Sequence, residues 1–224
     1  INIAGEELTS QELRNAVYHG PWVTNAKKYF SKSGCPAKSI GSDYMRGSAI
    51  RQDYLEATIK WKSSNKIEEY MANQQHKPQA VELWNYFNSV IDWTLAIFPV
   101  YRNEMKGIDW GYLYNDFKDE TLDPNKLEEE VKKLMMDDDV QKNKGIYEYV
   151  LRRDEKFLNL RAFSIKQKRE MYERQDGLCN IRKKPYPIEE MEADHIDPWS
   201  KGGRTDIANG QMIHKEENRR KSNK

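Results

Sequence analysis

Cysteine is nearly absent: the 224-residue chain has two, Cys35 and Cys179, too few for a disulfide scaffold and in keeping with a reducing cytoplasm. Long apolar runs are also missing. Stretches such as Ile97-Phe98-Pro99-Val100-Tyr101 fall far short of the roughly 20 apolar residues that a membrane helix needs, so no membrane partner is expected. No charged leader with an apolar core and a small-residue cleavage site opens the sequence, and secretion is not expected. The opening residue is Ile1 rather than Met, which points to a piece of something longer. Neither sign of charge dominates, with 37 Lys and Arg against 36 Asp and Glu. Apolar residues make up only 38 %, and mean hydropathy is −0.98, a balance also found in disordered chains. Six Trp, thirteen Tyr and six Phe, many at helical spacing, argue instead for a buried core, divided between two domains.

The neutral total hides an asymmetry. Residues 152–224 hold 18 Lys and Arg against 13 Asp and Glu, whereas 1–151 hold 19 against 23. A basic C-terminal third behind an acidic body points to a polyanionic partner. The body reads as helical. Thr9 with Glu12 makes a capping box, and Leu13, Ala16 and Val17 form the expected inward stripe of a first helix. Pro21 starts a second helix carrying Trp22, Val23, Ala26, Tyr29 and Phe30. Residues 31–41 read as a loop, and Met45, Ile50, Tyr54, Leu55 and Ile59 as a third helix. The clearest periodicity runs through Ala80, Leu83, Trp84, Phe87, Val90, Ile91, Thr94, Ile97 and Phe98, ended by Pro99. Residues 116–139 contain ten acidic side chains, including Asp137-Asp138-Asp139, and read as a solvated helix face with a charged loop. The expected domains are a helical body over 1–151, with a sensing or interaction role, and a second domain over 152–224.

The last fifty residues change character. A helix is expected from about Asp154 to Arg174, ending at Gln175-Asp176-Gly177. A turn-rich stretch with Pro185 and Pro187 leads to a short strand at residues 191–196. A polar loop follows, with Gly202-Gly203 for backbone freedom, then a strand at 211–213 and a final helix over 214–221. This order places Asp194, His195, Asn209 and Asn218 where they could converge.

At these residues the chain resembles an HNH nuclease domain, the ββα-metal finger of bacterial and phage endonucleases. The resemblance covers residues 172–224. It rests on Arg174-Gln175-Asp176-Gly177-Leu178-Cys179, Asp194-His195-Ile196 with Pro198, Gly202-Gly203-Arg204-Thr205, Asn209, and Asn218-Arg219-Arg220-Lys221. It implies a mainly α chain, with a helical body followed by a C-terminal ββα finger that hydrolyses phosphodiester bonds in DNA, by nicking or double-strand cleavage. His195 is then the general base and Asn209 a supporting residue that ties the loop behind it. Asp194 and Asn218 would hold a hard divalent ion, Mg²⁺ or Mn²⁺, and Lys201, Arg204, Arg219, Arg220 and Lys221 would contact DNA phosphates. Many members carry a structural zinc on two Cys-x-x-Cys pairs. Here those positions are Cys179 with Arg182 and His214 with Glu217. Arg182 puts a fixed cation in the set, which argues against zinc and for an Arg182–Glu217 ion pair in its place.

The N-terminal run Ile1-Asn2-Ile3-Ala4-Gly5-Glu6-Glu7-Leu8-Thr9 with Gln11-Glu12-Leu13-Arg14-Asn15-Ala16 resembles the close of the ParB-like nucleotide-hydrolysing domain of GmrSD-type restriction proteins. That resemblance implies an upstream nucleotide-binding domain and a role in restriction or defence against phage. Two other readings stay open. One is an RNase on the same scaffold, and the other a nuclease-like binding module with weak cleavage. A homodimer would let a one-site domain cut both strands.

Overall fold

A computed structural model describes residues 7–222 and contains, among them, eleven α-helices and one two-stranded antiparallel sheet. The chain is therefore mainly α, with its strands near the C-terminus. Backbone contacts divide it into two units. The first takes Ile1–Met135 and Asn143–Phe157, and the second takes Met136–Lys142 and Leu158–Lys224.

The first unit is built on aromatic helices. In α2 (Pro21–Phe30), Pro21 occupies the first turn, where a missing N–H costs nothing, and Trp22, Val23, Ala26 and Phe30 are buried. The longest helix, α6 (Val81–Ile97), buries Leu83, Tyr86, Phe87, Val90, Ile91, Thr94 and Ile97, a recurrence of three to four residues that keeps one stripe inward. Phe30 meets Phe87 edge to face at 5.5 Å. A second aromatic cluster joins Phe98 to Tyr147 at 5.1 Å and Trp110 to Tyr147 at 5.7 Å. Gly111 in α7 (Trp110–Phe117) permits this density, because a Cβ there would lie 2.4 Å from the Trp61 side chain. Trp61 lies in α4 (Asp53–Lys62), and its indole N–H donates to Asp109 at 3.0 Å.

Several local expectations are corrected. α1 (Ser10–Val17) has its Thr9–Glu12 capping box, but its apolar stripe faces out, with Leu13 52 % and Val17 71 % exposed. Its polar side docks instead. Gln11 and Asn15 are buried, Gln11 donates to Asn15 at 3.0 Å, and Asn15 donates to Gln52 at 3.2 Å. Arg14 adds ion pairs to Glu56 and Glu68, each at 2.6 Å. These hydrogen bonds and ion pairs have overridden the hydrophobic pattern, even though the buried Gln11 Oε1 finds no partner. The 31–41 loop holds α3 (Pro36–Gly41), and the next helix starts only at Asp53, leaving Met45 and Ile50 outside it. Gly and Pro signal a loop in this stretch, yet Pro36 opens a helix at its first turn. α5 (Ile67–Gln74) lies between α4 and α6.

α8 (Pro124–Met135) and α9 (Ile146–Arg152) complete the first unit. Glu128 on α8 takes a two-pronged pair from Arg102, and those hydrogen bonds hold its carboxyl below the usual range despite the opposing effect of burial.

In the second unit, α10 begins at Ile165 rather than Asp154 and runs to Arg174. Ser164 accepts from the Gln167 N–H at 3.2 Å while Gln167 accepts from the Ser164 N–H at 2.9 Å, a capping box that sets the start. Strand β1 (Met191–His195) pairs antiparallel with β2 (Gly210–His214), and α11 (Lys215–Ser222) closes the chain. The core is small: Phe163, Met171, Cys179, Met191, Met212 and Ile213. The acidic triplet is solvated only in part, with Asp138 exposed and the Asp137 side chain shielded. Asp139 is 5 % exposed, and residues 136–142 belong to this unit although they fall between two stretches of the first in sequence.

Because the Arg102–Glu128 pair is largely shielded, Glu128→Ala leaves a guanidinium without its counter-charge and should destabilise the first unit by about 2–4 kcal/mol. Urea unfolding followed by tryptophan fluorescence measures it, since five of the six Trp (all but Trp199) lie in that unit.

Candidate functional site

The pleat of β1 sorts the predicted site residues. Alternate side chains point to opposite faces, so Met191, Ala193 and His195 share one face and Glu192 and Asp194 the other. The first face joins the core, where the His195 ring packs against Phe163 with centroids 4.6 Å apart. His195 Nε2 lies 3.0 Å from the Thr205 hydroxyl.

The connection between the strands is held from inside by Asn209. Its side-chain amide donates to the carbonyls of Asp197 and Arg204, each at 3.0 Å, and accepts from the Asp197 N–H at 2.9 Å. Gly203 is required by this closure, because a Cβ would meet the Asp197 carbonyl oxygen at 1.9 Å. Gly202 adopts φ +89°, the left-handed region where glycine carries no Cβ penalty.

The other face of β1 meets α11. Asp194 Oδ2 accepts from Gln211 at 2.8 Å and from the Lys221 ammonium at 2.7 Å, and the same ammonium donates to the His195 carbonyl at 2.6 Å. One turn earlier on the helix, Asn218 donates to Glu192 at 2.9 Å. Asn218 and Lys221, three residues apart, thus face Glu192 and Asp194, two residues apart, which is how a helix lies on a strand. The groups that meet here are the carboxylates of Glu192 and Asp194, the His195 carbonyl and the amide nitrogens of Gln211 and Asn218. Carboxylate and carbonyl oxygens suit a hard cation, an ammonium already occupies the position beside Asp194, and Asn218 would have to turn its amide to offer an oxygen. Among the described residues, no group of three or more His, Cys, Asp and Glu side chains converges as a metal set.

The predicted phosphate contacts lie in different settings. Lys201 and Arg219 are exposed, and Arg220 is exposed and pairs with Glu217 at 3.2 Å. Arg204 pairs with Asp137, and Lys221 holds Asp194.

The four positions that hold zinc in related fingers come together as a polar clamp. Cys179 is buried, and its Sγ accepts from the backbone N–H groups of Arg182 and His214, each at 3.3 Å. Arg182 pairs with Glu217 at 2.8 Å and with Glu216 at 2.6 Å. The His214 ring packs on Tyr186 at 4.6 Å. Arg174 and Gln175 of the opening motif brace β2. Gln175 bonds both the N–H and the C=O of Met212, at 2.7 and 2.9 Å, as a neighbouring strand would. Arg174 donates to the carbonyls of Ile207 and Gly210.

Sequence reasoning did not single out Glu192, Gln211, Thr205 or Asp139. Glu192 and Gln211 follow from strand alternation and from the register that sets Asp194 opposite Gln211. Thr205 and Asp139 had no local signal, because they meet across 66 residues, where the Thr205 N–H donates to Asp139 at 3.1 Å.

The HNH endonuclease family model matches residues 177–224. No curated protein and no solved structure matches the chain.

The clamp should make the finger sensitive to acid. The Arg182 hydrogen bonds hold the Glu216 carboxyl below its ordinary value. A carboxyl lowered in the folded state contributes stability above its unfolded pKa, and that contribution disappears as pH falls through the folded one. Thermal melts of the full chain from pH 7 to pH 3 are expected to show a loss on the acid side that is shallower in Arg182→Ala. Identical slopes would remove the clamp from the stability of the finger.

Proposed function

The chain ends in an HNH endonuclease domain, a nuclease domain that acts on nucleic acid, and from that premise we propose that the protein is a metal-dependent DNA endonuclease. The observation that carries this reading is the division of labour across β1, with an imidazole on one face and two carboxylates that hold an ammonium and two amides on the other. His195 takes a proton from the attacking water, as an imidazole does near neutral pH. Phe163 and Thr205 restrict its ring. Asn209 keeps the loop behind it closed. Asp194 and Asn218, with Glu192 beside them, would hold Mg²⁺ or Mn²⁺. When bound, that ion would stabilise charge on the phosphate and on the departing oxygen. Structural zinc has no role in this reading, since Arg182 and its two carboxylates occupy the corresponding place. Lys201, Arg219 and Arg220 supply exposed positive charge for the phosphate backbone, and Arg204 and Lys221 join them when their carboxylate partners are released.

Lys221 suits a site that fills only with substrate. One carboxylate and one amide balance little of a divalent charge, and the ammonium competes for that carboxylate. Metal therefore binds weakly to the free protein and more tightly once a DNA phosphate completes the set and draws Lys221 away.

The N-terminal resemblance supports a place in restriction or defence against phage, behind an upstream nucleotide-binding domain. Residues 1–6 of that stretch lie outside the described residues. Among the described residues, no helix is long and apolar enough to cross a membrane. Double-strand cleavage would need a homodimer or two successive nicks. RNA is the second substrate to test, because the same chemistry cleaves it.

Plasmid DNA and structured RNA incubated with the protein, in Mg²⁺ or in EDTA, should show metal-dependent cutting of DNA. His195→Ala should abolish cutting while binding persists, and normal cutting by that variant would refute the assignment. In calorimetric Mn²⁺ titrations, Lys221→Met should tighten metal binding about tenfold, equivalent to about 1.4 kcal/mol of lost competition. DNA should strengthen Mg²⁺ binding by the wild type, and equal affinities with and without DNA would contradict the shared site.

A further inference from the structure

Thr205 has one hydroxyl proton and two claims on it. Its Oγ1 lies 3.1 Å from the carbonyl oxygen of Arg161 and 3.0 Å from His195 Nε2. A carbonyl can only accept, so the hydroxyl proton goes to Arg161. The Thr205 oxygen is then left to accept from His195, and Nε2 must carry the proton. A neutral imidazole protonated at Nε2 keeps its lone pair on Nδ1.

The position of Thr205 is itself set by Asp139. The Asp139 carboxylate accepts from the Thr205 N–H at 3.1 Å, and the Asp139 carbonyl accepts from the Arg161 N–H at 2.8 Å. One residue therefore fixes the spacing between the hydroxyl and the carbonyl that takes its proton. The neighbouring Asp137 pairs with Arg204, pinning the residue before Thr205. Asp139 is 5 % exposed and Thr205 8 %. A carboxylate this sheltered is costly unless it is hydrogen-bonded or paired, and here its partners are the N–H of the residue that holds the histidine and, at 4.0 Å, the Arg204 guanidinium.

We infer that Asp139 and Thr205 form a positioning relay that locks His195 in the Nε2–H tautomer and leaves Nδ1 as the base. The inference rests on His195 acting as the base in the proposed nuclease. It also extends the nuclease beyond residues 177–224, because the acidic strap at 136–142 becomes a working part of it.

The test uses the full chain with ¹⁵N-labelled histidine, free of metal, at about pH 8 where an imidazole is ordinarily neutral. With four His in the sequence, the His195 signals are identified by their loss in His195→Ala. Wild type should show protonated Nε2 and unprotonated Nδ1. Thr205→Val, which keeps the shape and removes the oxygen, should show a mixture of tautomers, and Thr205→Ser should restore the single form. DNA cleavage by Thr205→Val should fall about 10- to 100-fold in kcat with KM unchanged, the range for losing a group that orients a functional histidine. Thr205→Ser should stay near wild type. Asp139→Ala should move both readouts the same way. If that variant fails to fold, the Val and Ser pair decides alone. Wild-type tautomer and wild-type rate in Thr205→Val would overturn the relay. If His195→Ala still cuts DNA, the nuclease assignment to His195 fails, while the tautomer comparison of Val with Ser still decides what Thr205 does to the ring.

Discussion

The antiparallel pairing of β1 with β2 is the contact on which the rest of the nuclease unit depends. It sets Asp194 opposite Gln211 and His195 opposite Gly210, and the pleat then sends the carboxylate and the imidazole to opposite faces. A shift of one residue would exchange those faces and put His195 against α11. A two-stranded hairpin is marginal by itself in water, so the register must be held by what surrounds it.

Most of that support is polar, because the apolar cluster around the strands holds just six buried side chains. Gln175 offers Met212 the hydrogen bonds of a missing third strand, and Arg174 takes two carbonyls at the entrance to β2. Asn209 closes the loop between the strands. The Cys179, Arg182 and Glu217 cluster ties the turn before β1 to the start of α11 through ion pairs and two N–H to sulfur contacts. A network of this kind is stringent, since each unmade bond costs the desolvation of its group. It also makes acid and salt the natural stresses on the fold.

Charge is used twice in this unit. Asp137, Asp139, Glu216 and Glu217 each hold a basic side chain or a backbone N–H in place, and Asp194 holds Lys221. The near-neutral total of the chain is thus a sum of internal pairs together with exposed basic groups such as Lys201 and Arg219. The first unit follows the same habit in α1, whose buried Gln11 and Asn15 outweigh an apolar stripe left in water.

Much was legible from the sequence, where the governing physics is local. The three- to four-residue recurrence of α6, the start of α2 at Pro21 and the strand, loop, strand, helix order of the finger needed only neighbours along the chain. The motif residues from Arg174 to Lys221 named the candidate chemistry through their types and order. Other features depended on partners distant in sequence. The outward stripe of α1 reflects hydrogen bonds to Gln52 and ion pairs to Glu56 and Glu68. The late start of α10 was written in Ser164 and Gln167, but a run of apolar residues before them imitated helix. Lys221 reads as a phosphate contact until α11 is laid across β1, where it meets Asp194. Residue type alone set which side chains could carry acid, base and cation chemistry. That Asp139 reaches Thr205 across 66 residues and that Thr205 faces His195 follows from the folded chain, because a hydrogen bond depends on distance in space and leaves no periodicity in the sequence.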